Sequence, residues 1–156
     1  MRLVKIGLAS VNATVGAVRS NVDRSVRLAH AMAEEGTTIA LFPEQVIGGY
    51  AMEDLVQWRG FVAAQRRELM RFARETQGHG TVFVIGVTVG LGGDLFNCGA
   101  LVHRGKVLGL SPKEKLPTYN IFYEGRTFSR GTPYLALEAD GIKHLYEGWI
   151  FSEYPN

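Results

Sequence analysis

The sequence has little cysteine and no long apolar run. Cys98 is the single cysteine among 156 residues, which excludes an internal disulfide framework and is compatible with a reducing compartment. No apolar stretch approaches the roughly 20 residues that a membrane-spanning helix needs, and the N-terminus lacks the long apolar core of a secretion signal. We therefore expect a soluble, cytoplasmic protein with no membrane partner.

An excess of charge of either sign is also missing. Lysine and arginine number 17 against 15 acids, a net charge of +2, which argues against nucleic acid as a partner. The four histidines show none of the spacings typical of metal ligands, so we expect no metal. They are His30, His79, His103 and His144.

The apolar periodicity predicts an α/β protein in the order strand, helix, strand, helix, strand, strand, strand. A buried first strand is predicted within Leu3–Val11. A helix follows with apolar positions from Val18 to Ala33, ended by Gly36. The pattern continues with a strand at Thr37–Phe42, a helix at Glu53–Gln77 with a solvated face of arginines, and strands at Thr81–Val89, Leu95–Val102 and Lys106–Leu110.

The chain beyond Gly131 is less regular. Only Tyr134–Leu137 indicates a further strand. The last stretch, residues 141–156, has four aromatic residues and no clean period. It is typical of a loosely packed end or of a docking segment.

Glu44 is the first candidate for chemistry. It closes the motif Phe42-Pro43-Glu44 after an apolar run and precedes a glycine-containing loop, the place where open α/β sheets bind ligands. Desolvation there is expected to raise the carboxyl pKa toward that of a general base. The alternative is a surface glutamate in a turn.

Two further charged residues follow the last predicted strand. Lys113 comes directly after Pro112 and is placed to stabilise a developing oxyanion. Glu124 lies among aromatic residues and is placed to keep Lys113 protonated and oriented. The alternatives are a solvated lysine, and a salt bridge between Glu124 and Arg126 without a catalytic role.

The chain offers no plausible nucleophile beside these groups. Cys98 lies in a run of small and apolar residues, which is typical of a buried cysteine in a core strand. A reactive cysteine would need an accessible, electropositive setting. We therefore interpret Cys98 as structural rather than as the nucleophile.

Three motifs in this order resemble the nitrilase (carbon-nitrogen hydrolase) superfamily. They are Phe42-Pro43-Glu44, the segment from Pro112 to Tyr119, and the segment from Phe122 to Phe128. The last two look most like the N-terminal glutaminase domains of glutamine-dependent NAD synthetases. The resemblance covers roughly residues 3–131.

The resemblance implies an αββα sandwich with a Glu-Lys-Cys triad. Glu44 matches the general base, Lys113 the oxyanion lysine and Glu124 the supporting glutamate. The family's cysteine follows the lysine motif, where this sequence has none, so we expect the N-terminal portion of such a sandwich, truncated before the catalytic cysteine. The expected domains are residues 1–140, a partial carbon-nitrogen hydrolase, and 141–156, a divergent tail.

In the parent family, glutamine is the small-molecule amide substrate and its ammonia serves ATP-dependent NAD synthesis. The ATP and magnesium of that reaction would belong to an absent synthetase domain, so no cofactor is expected in this chain. Alone, the chain is expected to be inactive and to form a homo-oligomer. The alternatives are a free-standing amidase of the superfamily, a non-catalytic assembly module, and a broken reading frame.

Overall fold

The computed structural model describes residues 3–120 and 122–131, and after them only the backbone of two short strands, at 144–146 and 149–151. The strand expected at Tyr134–Leu137 lies outside the described residues. None of the helices in the described part of the chain is long and apolar enough to cross a membrane.

The described elements form one mixed sheet with two helices. Parallel strands β1, β2 and β3 are followed by antiparallel partners, in the order β1-β2-β3-β4-β5-β7-β6. The elements are β1 (Ile6–Leu8), α1 (Val18–Glu34), β2 (Ile39–Leu41), α2 (Arg59–Glu75), β3 (Val82–Leu91), β4 (Asp94–His103), β5 (Lys106–Pro112), β6 (His144–Tyr146) and β7 (Trp149–Phe151).

Both helices pack on one face of the sheet. On β3 and β4, alternate side chains point to this face and form the core with α1 and α2, as the period-2 geometry of strands requires. Phe72 of α2 stacks edge-on against Phe42 and Phe83. The predicted α/β class is confirmed, since a layer of two helices packs on a mixed sheet.

The opposite face of the sheet carries aliphatic side chains in two cross-strand rows. One row runs from Leu8 to Leu41, Val84 and Leu101, and the other from Ile6 to Ile39 and Val82. Leu8 is 77% exposed and Ile6 is 60% exposed, and the other five are half-buried. Contiguous aliphatic surface of this kind favours association with another layer.

The structure corrects the position of β1. We expected a buried first strand, but β1 is three residues long and lies at the edge of the sheet. An edge strand that is covered by helices on one side only buries half of its side chains, which an apolar composition does not reveal.

The second predicted helix is also divided. A 3-10 helix spans Glu53–Gln57, and α2 begins only at Arg59, because Trp58 is extended with ψ 112°. Moreover, Arg71 is not part of a solvated face. It pairs with Asp23 of α1 and with Glu68 and Glu75, which joins the two helices.

The end of the chain contains two strands that the sequence did not predict. β7 pairs with β5, where Leu110 faces Ile150, and β6 pairs with β7. Each has only three residues, too few to show a period-2 pattern. Pairing with the sheet, rather than local preference, defines them.

Candidate functional site

Glu44 lies on a loop that crosses the sheet beside β3. The loop begins where β2 ends, and the Phe42 N–H donates to the Val84 carbonyl over 2.8 Å. It passes directly over Gly86, where an added Cβ would lie 2.5 Å from the Pro43 oxygen and 2.7 Å from the Glu44 carbonyl carbon. Gly86 therefore allows the loop to approach the sheet closely.

Lys113 is placed by the register of β4 and β5. Cys98 faces Pro112 across these strands, and the next pair continues the ladder, since the Lys113 N–H donates to the Asn97 carbonyl over 2.8 Å. Side chains that face each other across a ladder share one side of the sheet. Asn97 and Lys113 thus point together toward the loop that carries Glu44.

The three predicted site residues meet at one ammonium group. The Lys113 Nζ lies 2.8 Å from Glu44 Oε1 and 2.9 Å from Glu124 Oε2. Asn97 Nδ2 donates to the same Glu44 oxygen over 2.5 Å. Glu124 is 5% exposed at its side chain, whereas Glu44 is 48% exposed, so the cluster has a buried end and an open end.

Glu124 pairs with the lysine rather than with its neighbour. A short 3-10 helix, Glu124–Arg126, fixes its backbone, and its N–H donates to the Pro117 carbonyl over 3.1 Å. Arg126 instead lies 4.0 Å from Asp54. Of the two arrangements considered for Glu124, the structure has the pair with Lys113.

The pKa of Glu44 corrects the expectation from sequence. Burial alone would raise it, but hydrogen bonds from Lys113 and Asn97, with the lysine charge, outweigh burial and hold the pKa below its ordinary value. Burial would lower the pKa of Lys113, but its two carboxylate partners raise it. At neutral pH Glu44 is an ionised acceptor and Lys113 a fixed cation.

Cys98 does not take part in this cluster. Its neighbour Asn97 faces Glu44, so Cys98 points to the other side of the sheet, where it belongs to the core and is 2% exposed. Burial raises the pKa of its thiol to about 12. The structural interpretation of Cys98 is confirmed, since a buried, protonated thiol is not a nucleophile.

Two residues beside the cluster were missed from the sequence. No motif singles out Asn97, although the period-2 pattern of β4 predicts its amide on the face opposite the core. Tyr50 lies near the carboxylates, and burial and the charges of Glu124 and Glu44 raise its pKa. Its ring packs near Phe122 with 6.4 Å between centroids.

A cavity of about 300 Å³ adjoins the buried end of the cluster. Glu124 lines it together with Gln45, Tyr50, Met52 and Phe128, among others. A larger cavity, about 540 Å³, lies between α2 and the turn joining β3 to β4, and none of the three charged residues lines it. Within the described residues no group of three or more His, Cys, Asp or Glu is arranged to hold a metal.

The site thus has a carboxylate on the loop after β2 and a lysine directly after β5. This chain can be matched to a known protein family. The model of the carbon-nitrogen hydrolase family matches residues 6–142. The chain belongs to this family.

Within curated proteins, the chain is similar to glutamine-dependent NAD(+) synthetases. The chain is similar to the glutamine-dependent NAD(+) synthetase of Thermotoga maritima, at 30% identity over 92% of this chain and 25% of the relative. It is 36% identical to that of Xanthomonas campestris pv. campestris over 80% of this chain and 22% of the relative. The chain thus spans about a quarter of the length of these relatives.

Solved structures give the same picture. A glutamine-dependent NAD(+) synthetase from Cytophaga hutchinsonii superimposes with a TM-score of 0.79 at 26% identity, over 84% of this chain and 22% of that one. An amidase from Nesterenkonia sp. has a TM-score of 0.68 at 23% identity, over 83% of this chain and 48% of that one. The amidase shares the fold.

Proposed function

We propose that this chain supplies the base and the oxyanion-binding cation of a glutamine-hydrolysing site whose ammonia serves NAD synthesis. The observation that carries the proposal is the contact of one ammonium with two carboxylates, at 2.8 and 2.9 Å. The synthetases among its relatives support glutamine as the amide. In this proposal the partial carbon-nitrogen hydrolase domain is residues 1–140, and residues 141–156 are a divergent tail.

The roles follow from the charges and positions of the three groups. Glu44, ionised and half-exposed, takes a proton from a thiol and later delivers it to departing ammonia. Lys113 stabilises the oxyanion that forms on the amide carbon. Glu124, buried, keeps Lys113 charged and aimed toward Glu44.

The thiol itself must come from outside the 156 residues. Loss of the nucleophile from a triad costs several orders of magnitude in rate. We expect the purified chain to release no ammonia from glutamine above the level of a Glu44→Ala control. Ammonia release that exceeds this control would refute the proposed dependence on an external thiol.

A chimera tests the roles directly. Residues 3–131 would replace the aligned part of the Xanthomonas campestris synthetase, whose own remainder completes the domain. We expect glutaminase activity in the chimera, and a loss of at least about 1000-fold in kcat with Glu44→Gln or Lys113→Met. Exposed Glu114→Gln, close to Lys113 in sequence, is the matched control. A folded chimera that keeps its activity without Glu44 would refute the assignment.

A free-standing amidase is the second enzymatic candidate, supported by the fold shared with the Nesterenkonia amidase. The amidase and the NAD synthetase candidates differ in what the gene encodes after codon 156. A synthetase domain encoded in frame after codon 156 supports NAD synthesis, and its absence supports the amidase.

An assembly role is the candidate of another class. The aliphatic face, with Leu8 and Ile6 largely exposed, favours association with a second copy of the chain. Such a homo-oligomer requires no chemistry from Glu44. The Glu44→Gln variant therefore separates the two roles, since it would abolish hydrolysis in the chimera and leave association unchanged.

A further inference from the structure

Strand β3 is longer than the strand beside it, which leaves part of its edge without a partner strand. β3 has ten residues, but β2 pairs only with residues 82–84. Beyond these residues, the loop that carries Glu44 and the side chain of Gln65 contact the edge of β3 in place of a strand. The last of these contacts is at Thr88, so no described strand lies beside Gly90 on this side.

The ladder with β4 shows where the backbone groups of this edge point. The Thr88 N–H donates to Gln65 Oε1 of α2 over 3.1 Å, so it points away from β4. Backbone groups of an antiparallel strand alternate between its two sides with a period of two residues. The N–H and C=O of Gly90 therefore also point away from β4, and the ladder, in which Gly90 faces Leu95, uses neither of them.

A cavity of about 540 Å³ lies between this edge and α2. Gly90 is part of its wall, together with apolar side chains that include Val62, Leu69 and Leu95. The volume is within the range of ligand sites in proteins. A Cβ added at Gly90 would lie 3.6 Å from Val62 and from Leu95, so the missing side chain leaves room for an atom of a ligand at this point.

The charged side chains of the cavity give it an excess of positive charge. Arg59 and Arg66 line it against one acid, Asp94, and Asp94 accepts a hydrogen bond from the Ser129 hydroxyl over 2.9 Å. Arg59 is the first residue of α2, the end at which helices favour acidic side chains, so its cation does not stabilise the helix. An acidic group on a ligand would be attracted to this side of the cavity.

An extended peptide matches the backbone groups and the apolar wall together. In an antiparallel pair, one residue can exchange both an N–H and a C=O bond with the residue opposite. A free carboxylate would accept from the Gly90 N–H but would be repelled by the C=O of the same residue. Successive side chains of an added strand point to opposite sides, so an apolar residue can enter the cavity while the next residue remains at its rim.

We propose that the cavity binds an extended acidic peptide segment of a partner protein, which adds to the edge of β3 at Gly90. An apolar side chain of the segment fills the space between Val62 and Leu95, and a neighbouring acidic residue lies beside Arg59. Peptides commonly bind to exposed sheet edges in this way. None of the three charged site residues lines this cavity, so the inference does not depend on the proposed function.

The test is peptide binding to the full 156-residue chain, measured by fluorescence anisotropy. The probe is a fluorescein-labelled peptide in which valine and glutamate alternate between serine ends, and its matched control has lysine in place of glutamate. We expect the glutamate peptide to bind at least about tenfold more tightly than the lysine peptide at low salt. Methylation of single amide nitrogens in the probe should weaken binding about two- to tenfold at every second position only, because alternate N–H groups face β3.

Two pairs of variants separate the apolar and the charged parts of the site. Gly90→Val fills the cavity beside the edge and should weaken the glutamate peptide at least about tenfold. Gly80→Val is its control, because Gly80 precedes β3 and an added Cβ there meets no atom within 4 Å. Arg59→Gln should weaken the peptide about two- to fivefold, whereas Arg67→Gln, on the same helix but outside this cavity, should not. Thermal unfolding shows that each variant folds.

Hydrogen exchange of the Gly90 amide is the second measurement, and the bound peptide should slow it. An absence of binding by the glutamate peptide would overturn the proposal, as would equal affinities of the glutamate and lysine peptides or of the wild type and Gly90→Val. Slow exchange that appears only as the chain concentration rises would show a second copy of the chain on this edge and would also overturn it. So would displacement of the peptide by butyrate of equal affinity, which would indicate a site for small carboxylates.

Discussion

Lys113 holds two carboxylates that would otherwise repel each other. Glu44 and Glu124 are both within 2.9 Å of its Nζ atom, so the cluster has a net charge of −1. An ammonium with two acid partners stays protonated at any physiological pH. Because Lys113 is shared between Glu44 and Glu124, it is not available to Glu44 alone. Asn97 gives Glu44 a second hydrogen-bond donor.

Removal of that donor is predicted to raise the pKa of Glu44. Asn97→Ala deletes the 2.5 Å hydrogen bond to the ionised carboxylate, and the loss disfavours the charged form. Carbon-detected NMR titration of the Glu44 carboxyl measures the change. Asn12→Ala, at an exposed position, should not move this pKa, and an unchanged value in Asn97→Ala would contradict the prediction.

The thiol of Cys98 is predicted to be inert while the chain is folded. With 2% exposure and a pKa raised to about 12, it should react with a disulfide reagent at pH 8 at least about 100-fold more slowly than in guanidinium chloride. A Cys98→Ser chain with Ser20→Cys on the exposed side of α1 provides a fast-reacting comparison. Equal rates for Cys98 in the folded and unfolded chain would contradict its burial.

At the scale of elements, the pair Gly86 and Gly99 shows how the sheet accommodates the loop that carries Glu44. The two glycines face each other on β3 and β4, yet only Gly86 lies under backbone atoms of residues 43–45. A Cβ at Gly99 would meet only Val84 at an ordinary 3.5 Å.

Gly86→Ala is therefore predicted to destabilise the fold by at least about 2 kcal/mol, because backbone atoms must move. Gly99→Ala should change the free energy of unfolding by less than about 0.5 kcal/mol. Urea unfolding of the two variants gives the comparison. Similar values for both would show that the loop does not depend on the missing side chain at Gly86.

The long elements of the fold could be predicted from sequence because their periods are strong. Helix α1 and strands β3, β4 and β5 lie where the apolar pattern predicts them. The extended residue Trp58 that divides the second helix, and the three-residue strands β6 and β7, could not be, because tertiary pairing and a single backbone angle define them.

The site was predictable only in part. Glu44, Lys113 and Glu124 were found by motif, and the structure brings them together, although their catalytic roles stay predictions. The contact of Asn97 with Glu44 was not predicted, because an asparagine next to a cysteine forms no recognisable motif. The lowered pKa of Glu44 depends on two partners far away in sequence, which no local pattern reports.

At the scale of the whole molecule, one side of the sheet is covered and the other is not. Helices α1 and α2 cover the first side, and the seven aliphatic side chains of the other remain exposed or half-buried. The chain spans about half of the amidase that shares its fold. An uncovered aliphatic layer of this kind favours association.

The purified chain is predicted to associate through this aliphatic face. Leu8→Ser should lower the average mass found by light scattering, because Leu8 is 77% exposed at the β1 end of the row that runs to Leu101. Trp58→Ser, at a 68% exposed residue outside the face, should not. A wild-type chain that remains a 17.2 kDa monomer at all concentrations would contradict this prediction.

Asn97 and Lys113 project from the same side of the sheet as the aliphatic rows. A layer broad enough to cover both Leu101 and Asn97 of β4 would also shield the charged cluster from bulk water, where Coulomb forces are weakest. Hydrophobic assembly and the strengthening of the Glu44–Lys113 attraction would then be a single event. Without such a layer, solvent weakens the attraction between Glu44 and Lys113.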